Sequence, residues 1–198
     1  MYFCDGFIKN TSTIEIDSYN SLYNLKINLI TLNYHPRQIG NKTERYALIQ
    51  EGERDIFIIG LNPSTADETK PDPTMRRTMQ IAEFNGYDGF IMLNLYPQRS
   101  TKPKDLARNI DIDIHKRNLE IIEDLLKNNT SIDVWLAFGA NICIRKYLLS
   151  CFKDIINILH KHNANLFYIN KLTKAGFPPH PLYQKTNYLK PYHNHICL

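Results

Sequence analysis

Gly60-Leu61-Asn62-Pro63-Ser64 is the segment of this chain whose residue types could do chemistry. It follows a short apolar run, and Gly60 lets the backbone turn sharply and a ligand come close. Pro63 stiffens the loop and removes one donor. Asn62 both donates and accepts, so it could hold a water or read an amide-like edge, or simply cap the turn. Asn94 follows a second apolar run and should sit at a strand end; its amide suits the edge of a pyrimidine or purine. Arg76, Arg77 and Arg99 could aim guanidinium forks at phosphate. Neighbours on a helix point about 100° apart, so Arg76 and Arg77 should not both do so. His180 lies in Phe177-Pro178-Pro179-His180-Pro181, where the prolines restrict the backbone and could hold the imidazole in one pose as an electrophile or general acid. The pairs His160/His162 and His193/His195 have no cysteine or acidic set beside them, so neither a metal nor another cofactor is expected.

These residues need a scaffold, and the apolar pattern predicts one. Residues 13–17 and 25–29 alternate apolar and polar positions, as hairpin strands would, with a turn near Ser18-Tyr19-Asn20. Residues 45–49 could form a further strand. Residues 55–59, 89–93, 133–138 and 165–169 are apolar runs of the kind buried on both faces of a sheet. Helical stretches are predicted over 74–85, 105–128 and 140–162. Strands alternating with helices imply a parallel sheet with right-handed crossovers. In such a sheet, ligands bind beyond the carboxyl ends of the strands. The loops 60–67, 94–101, 139–141 and 176–183 should therefore share one crevice.

The chain of 198 residues, 43% hydrophobic and 22% charged, suits one globular domain with a substantial core. No apolar run is long enough to span a bilayer, and the first residues lack the features of a signal peptide. Cys4, Cys143, Cys151 and Cys197 are scattered, as reduced thiols in a cytoplasmic protein would be. The net charge of +4 is uneven, because eight of the 24 lysines and arginines but one of the 20 acids lie in residues 140–198. That basic third could be a nucleic-acid footprint or an ordinary solvated surface.

With these residues in view, the sequence resembles the domain family of unknown function numbered 1643 over roughly residues 45–192. The matching pattern runs from Gly60 to Asp67 and from Asp72 to Arg77. It continues through Leu93-Asn94-Leu95-Tyr96, Arg99-Ser100-Thr101 and Phe138-Gly139-Ala140 to Leu172-Thr173-Lys174-Ala175-Gly176 and His180-Pro181-Leu182-Tyr183. More distantly, it is similar to the uracil-DNA glycosylase superfamily, with its Gly-x-Asn-Pro loop, strand-end Asn and late His-Pro loop. That similarity implies a three-layer α/β sandwich around a central, mostly parallel sheet at residues 45–198, preceded by an N-terminal β extension at 1–44.

The same similarity implies a site built on Gly60, Pro63 and Ser64. Asn62 would hold the attacking water, with Asp67 as a base if the loop folds back. His180 would stabilise the departing base, Asn94 would select it, and Leu182 or Tyr183 would fill the gap left by the flipped nucleotide. Departures are Asn62 where the most active enzymes carry Asp, Ser64-Thr65 in place of an aromatic residue, and no serine after His180-Pro181. The expected partner is nucleic acid, most simply DNA, or a nucleotide-like small molecule. The rival functions are a base-binding module without catalysis and an enzyme of free nucleosides or nucleotides.

Overall fold

The computed structural model describes residues 34–193, apart from 128 and 130. The hairpin expected at 13–17 and 25–29, Cys4, Cys197, His195 and the predicted helix end at 128 lie outside the described residues. Among the described residues, seven strands run β1 (Arg37–Gly40), β2 (Arg45–Gln50), β3 (Asp55–Gly60), β4 (Gly89–Asn94), β5 (Asp133–Leu136), β6 (Asn165–Ile169) and β7 (Leu189–Pro191). Three helices are described: α1 (Pro73–Phe84), α2 (Ile112–Lys127) and α3 (Lys146–Lys161).

The strands form one mixed sheet in the order β1-β2-β4-β3-β5-β6-β7. Its four central strands are parallel, and β1, β2 and β7 add to it antiparallel. The crossover β3-α1-β4 moves one way along the sheet, whereas β4-α2-β5 and β5-α3-β6 move the other. Right-handed crossovers then put α1 on one face and α2 and α3 on the opposite one. The core agrees: Phe57, Ile59, Leu93, Val134 and Leu136 pack in one cluster with Ile122, Leu126, Phe152 and Ile155 of α2 and α3. The alternate residues, Ile58, Met92 and Trp135 among them, point to the α1 face. The loops after neighbouring β3 and β5 thus leave toward opposite faces, which opens a crevice between them.

Local sequence explains α1. Asp72 Oδ1 accepts from Met75 N at 2.8 Å, Pro73 takes the first turn, and Gly86 follows the C-cap at φ +80°. Two predicted helices are corrected. The second begins at Ile112, not at 105, and Asp111 Oδ1 caps it through Asp113 N and Ile114 N at 3.0 and 3.1 Å. The third is broken into a 3-10 turn over Ala140–Ile144 and an α-helix from Lys146, with Arg145 extended between them.

One side chain accounts for both corrections. The Arg145 guanidinium reaches the carbonyls of Lys104 at 2.5 Å, Leu106 at 2.8 Å and Ala107 at 3.1 Å. Those carbonyls are thereby drawn away from a helical ladder. The strand expected to end at 138 stops at Leu136, although Ala137 N still donates to Ile59 O at 2.8 Å.

Arg145→Met keeps the apolar stem but leaves these carbonyls without their charged donor. Urea unfolding is expected to show a loss of about 2 kcal/mol, with faster amide exchange between residues 104 and 111. An unchanged unfolding midpoint would mean that Arg145 does not organise this segment.

Candidate functional site

β3 ends at Gly60 in register with Asn94 of β4, so their side-chain directions share the α1 face with Met92. A Cβ at Gly60 would lie 2.7 Å from Met92 Cε and 2.9 Å from Asn94 Oδ1. The glycine therefore leaves the space that the Asn94 amide needs. Asn94 is 0% exposed, and neither its Oδ1 nor its Nδ2 has a hydrogen-bond partner. An orphaned buried amide of this kind costs about 1–3 kcal/mol per group. Its backbone carbonyl, by contrast, is held by Asn118 Nδ2 at 3.0 Å.

Beyond Gly60 the chain is pinned group by group. Asn62 Nδ2 donates to Ser100 O at 2.8 Å and to Pro63 O at 3.0 Å, which sets the amide's orientation and leaves Oδ1 to accept from another donor. Ser100 N returns a bond to Pro63 O at 2.9 Å. Arg99 donates to Ser64 O at 3.2 Å, Arg45 to Ala66 O, and Tyr34 Oη to Asp67 O at 2.8 Å. Asp72 Oδ2 accepts from Ala66 N at 3.3 Å.

Facing this loop is Gly139 at φ +74°, a conformation that favours glycine, and a Cβ there would stand 2.8 Å from His180 Cβ. His180 Nδ1 accepts from Leu182 N at 3.3 Å, which leaves the ring proton on Nε2. Burial pushes the imidazole below its ordinary range, with Asp72 pulling weakly the other way, so it is neutral at pH 7. The 3-10 turn that follows, Pro181–Tyr183, is clamped to α1 by Arg77, whose Nε and Nη2 both donate to Gln184 O at 2.9 and 2.5 Å.

These pieces enclose one cavity of about 310 Å³, lined by Gly60, Asn62, Ser64, His180, Leu182 and Tyr183 of the residues expected from sequence. That volume falls at the lower end of small-ligand sites. Tyr183 stands at the rim, 85% exposed.

The other expected residues do not line it. Pro63 is buried in the loop. Asn94 sits beside the cavity, next to Gly60 and Met92, which do line it. Asp67 is absent from the lining, and its Oδ1 accepts from Thr69 N, Thr69 Oγ1 and Lys70 N at 2.7–2.9 Å, bonds that hold the carboxyl below the usual carboxylate range. It is not placed to act as a base. The forks expected to meet phosphate are also committed: Arg77 to Gln184, Arg99 to Ser64 and Gln38, and exposed Arg76 to Pro71 O at 2.7 Å.

Arg45 is the most deeply buried charged residue among the lining residues that sequence reasoning missed. It is 2% exposed. Alternation along β2 would turn it to the same side as the core residues Ala47 and Ile49. Instead the pairing with β1 slips by one residue at Tyr46, so that Gly40 pairs with Arg45, and such a bulge reverses the facing of what lies beyond it. Asp72, Thr74, Ser100, Thr101 and Asn141 complete the polar lining.

A family model described as "Protein of unknown function (DUF1643)" matches residues 45–182. The chain belongs to that family. The DUF1643 segment opens on buried Arg45 and closes on Leu182, so apart from Tyr183 it contains every residue that lines the cavity. No curated protein and no solved structure matches the chain.

The depressed His180 has a consequence for stability. In the unfolded chain the imidazole takes up a proton near its ordinary value of 6.5, while in the fold it resists until lower pH. Stability is therefore expected to be complete above about pH 6.5 and to fall as the pH drops toward the folded value. His180→Gln should flatten that part of a melting-temperature profile; an equally steep profile in the variant would assign the acid sensitivity to other groups.

Proposed function

We propose that the cavity receives a nucleobase extruded from nucleic acid and that the site hydrolyses its N-glycosidic bond, as the similarity to uracil-DNA glycosylases implies. The observation that carries this reading is the orphaned Asn94 amide. One donor and one acceptor, fully buried behind Gly60 and beside a cavity with room for a base, match the complementary edge of a heterocycle. A base seated against Gly60 would supply the partners that the free protein lacks once the Met92 methyl group gives way and uncovers the amide.

The remaining groups fit the charges that such a cleavage develops. As the bond from C1′ to the base nitrogen breaks, its electron pair leaves with the base, and the sugar becomes cationic. The Nε2–H of neutral His180 would hydrogen-bond the base oxygen on which negative charge accumulates. Water adds to C1′ with Asn62 Oδ1 accepting one of its hydrogens, and the surplus proton passes to solvent or to the base anion. Exposed Lys174 and Lys185, either side of the His180 loop in sequence, would meet the phosphates.

One observation favours a second reading, base recognition without cleavage. The carboxylate that lines the cavity, Asp72, already accepts the N–H groups of Met75 and Ala66. No other lining residue is acidic.

The test is single-turnover release of base from oligonucleotides carrying uracil, hypoxanthine, xanthine or mismatched thymine, read as abasic sites. Asn94→Asp is expected to change which base is accepted. Asn62→Ala should slow release with base choice retained, and His180→Ala should slow it by about 100-fold or more. Salt-sensitive binding by the parent with no abasic product would favour the recognition module, and no oligonucleotide binding at low salt would exclude both readings.

A further inference from the structure

Arg45 holds the carbonyl of Ala66, but a carbonyl needs only a donor, not a buried positive charge. Arg45 is 2% exposed, lines the cavity, and has an Nε without a hydrogen-bond partner. Among the described residues, no ion pair involves Arg45 or Arg99. The two carboxylates whose fields reach Arg45 are committed to backbone amides, Asp67 to Thr69 and Lys70, Asp72 to Met75 and Ala66. Arg99 adds a second positive charge nearby, and its Nε is also buried and unpartnered. Burial first and Arg99 second push the Arg45 guanidinium down to about 10, so it stays charged at neutral pH in a place that disfavours charge.

The first turn of α1 meets the same cavity through Thr74 and Met75, which brings the positive end of a twelve-residue helix to it. Asp72 opposes an anion there, but it caps that helix and so spends part of its field on the helix dipole. A buried cation without an ion-pair partner, a second cation whose field reaches it and a helix N-terminus share one demand: a ligand oxyanion.

We infer that the Arg45 end of the cavity is an anion subsite that takes a phosphate group of the ligand, while the Asn94 and His180 end takes the base. The second clause rests on the proposed function; the first stands without it. The phosphate could belong to a free nucleotide or to a nucleotide within a strand, and the chemistry of recognition is the same. Arg45 supplies planar, charge-assisted donors, so the gain on adding a phosphate should be large.

Calorimetric titration of the full chain with uridine, uridine 5′-monophosphate, inorganic phosphate and a uracil-containing single strand, at matched ionic strength, tests this. The monophosphate is expected to bind about tenfold or more tightly than the nucleoside. Phosphate alone should raise the melting temperature more than chloride does. Arg45→Met should bind nucleoside and monophosphate alike, and Arg45→Lys should keep part of the difference. If Arg45→Met does not fold, the comparison within the parent protein decides the subsite and Arg45→Lys decides its assignment, an undiminished monophosphate advantage there counting against Arg45.

Loss of strand binding in Arg45→Met would identify the phosphate as one within a strand; loss of the monophosphate advantage alone would identify a free nucleotide. Equal binding of nucleoside and monophosphate by the parent overturns the anion subsite and leaves the base reading standing. Binding of phosphate but of no base-bearing compound beyond it does the reverse. A monophosphate advantage that survives in Arg45→Met, or no binding of any compound, overturns the assignment to Arg45.

Discussion

Everything at the carboxyl edge of this sheet depends on three carbonyls of one loop being held from outside it. Ser64, Ala66 and Asp67 lie between the end of β3 and the cap of α1, where no regular ladder can satisfy them. Arg99, Arg45 and Tyr34 reach them from the β4 loop, from β2 and from the residues before β1. A loop tied to three separate elements cannot shift without breaking bonds in a poorly solvated place, where each is expensive to lose. Asn62 is the direct beneficiary: with Nδ2 fixed on Ser100 O, its Oδ1 has one orientation.

The sheet topology decides why that loop meets the His180 loop. Because α1 and α3 lie on opposite faces, the chain leaving β3 and the chain leaving β5 diverge, and the gap is open to segments arriving later. Gly139 lets the His180 backbone fill it closely, with Gly139 N donating to Pro178 O at 3.1 Å. Arg77 then ties the far side of that segment to α1. His180, Asn62 and Asn94 thus come from three parts of the chain, and their common location follows from crossover handedness rather than from any local motif.

Strand ends were legible in the sequence because apolar runs stop abruptly at Gly60 and Asn94. The first helix was legible because Pro73 and Gly86 are local signals at its two ends, although the Asp72 cap was not read. What was not legible depended on partners distant in the chain. Arg77 looked available for phosphate, but its acceptor is a carbonyl 107 residues later. The region from 105 looked helical, but Arg145 claims its carbonyls from about forty residues on. Arg45 was hidden for another reason: a one-residue slip against β1 reversed its side, and period-two patterning cannot register a bulge. The Asn94 amide was placed correctly at its strand end, yet only the packing against Met92 and Gly60 reveals that it has no partner.

That missing partner is the central claim in its most measurable form. The side-chain NH₂ of Asn94 gives its own pair of signals in a ¹⁵N-correlated spectrum, assignable by comparison with Asn94→Asp. Titration with free bases and nucleosides should move those two signals as the cavity fills, together with the His180 Nε2–H, and slow their exchange with solvent. A base that saturates the protein while the Asn94 signals stay where they were would contradict the account, because the buried amide would then have some other reason to be there.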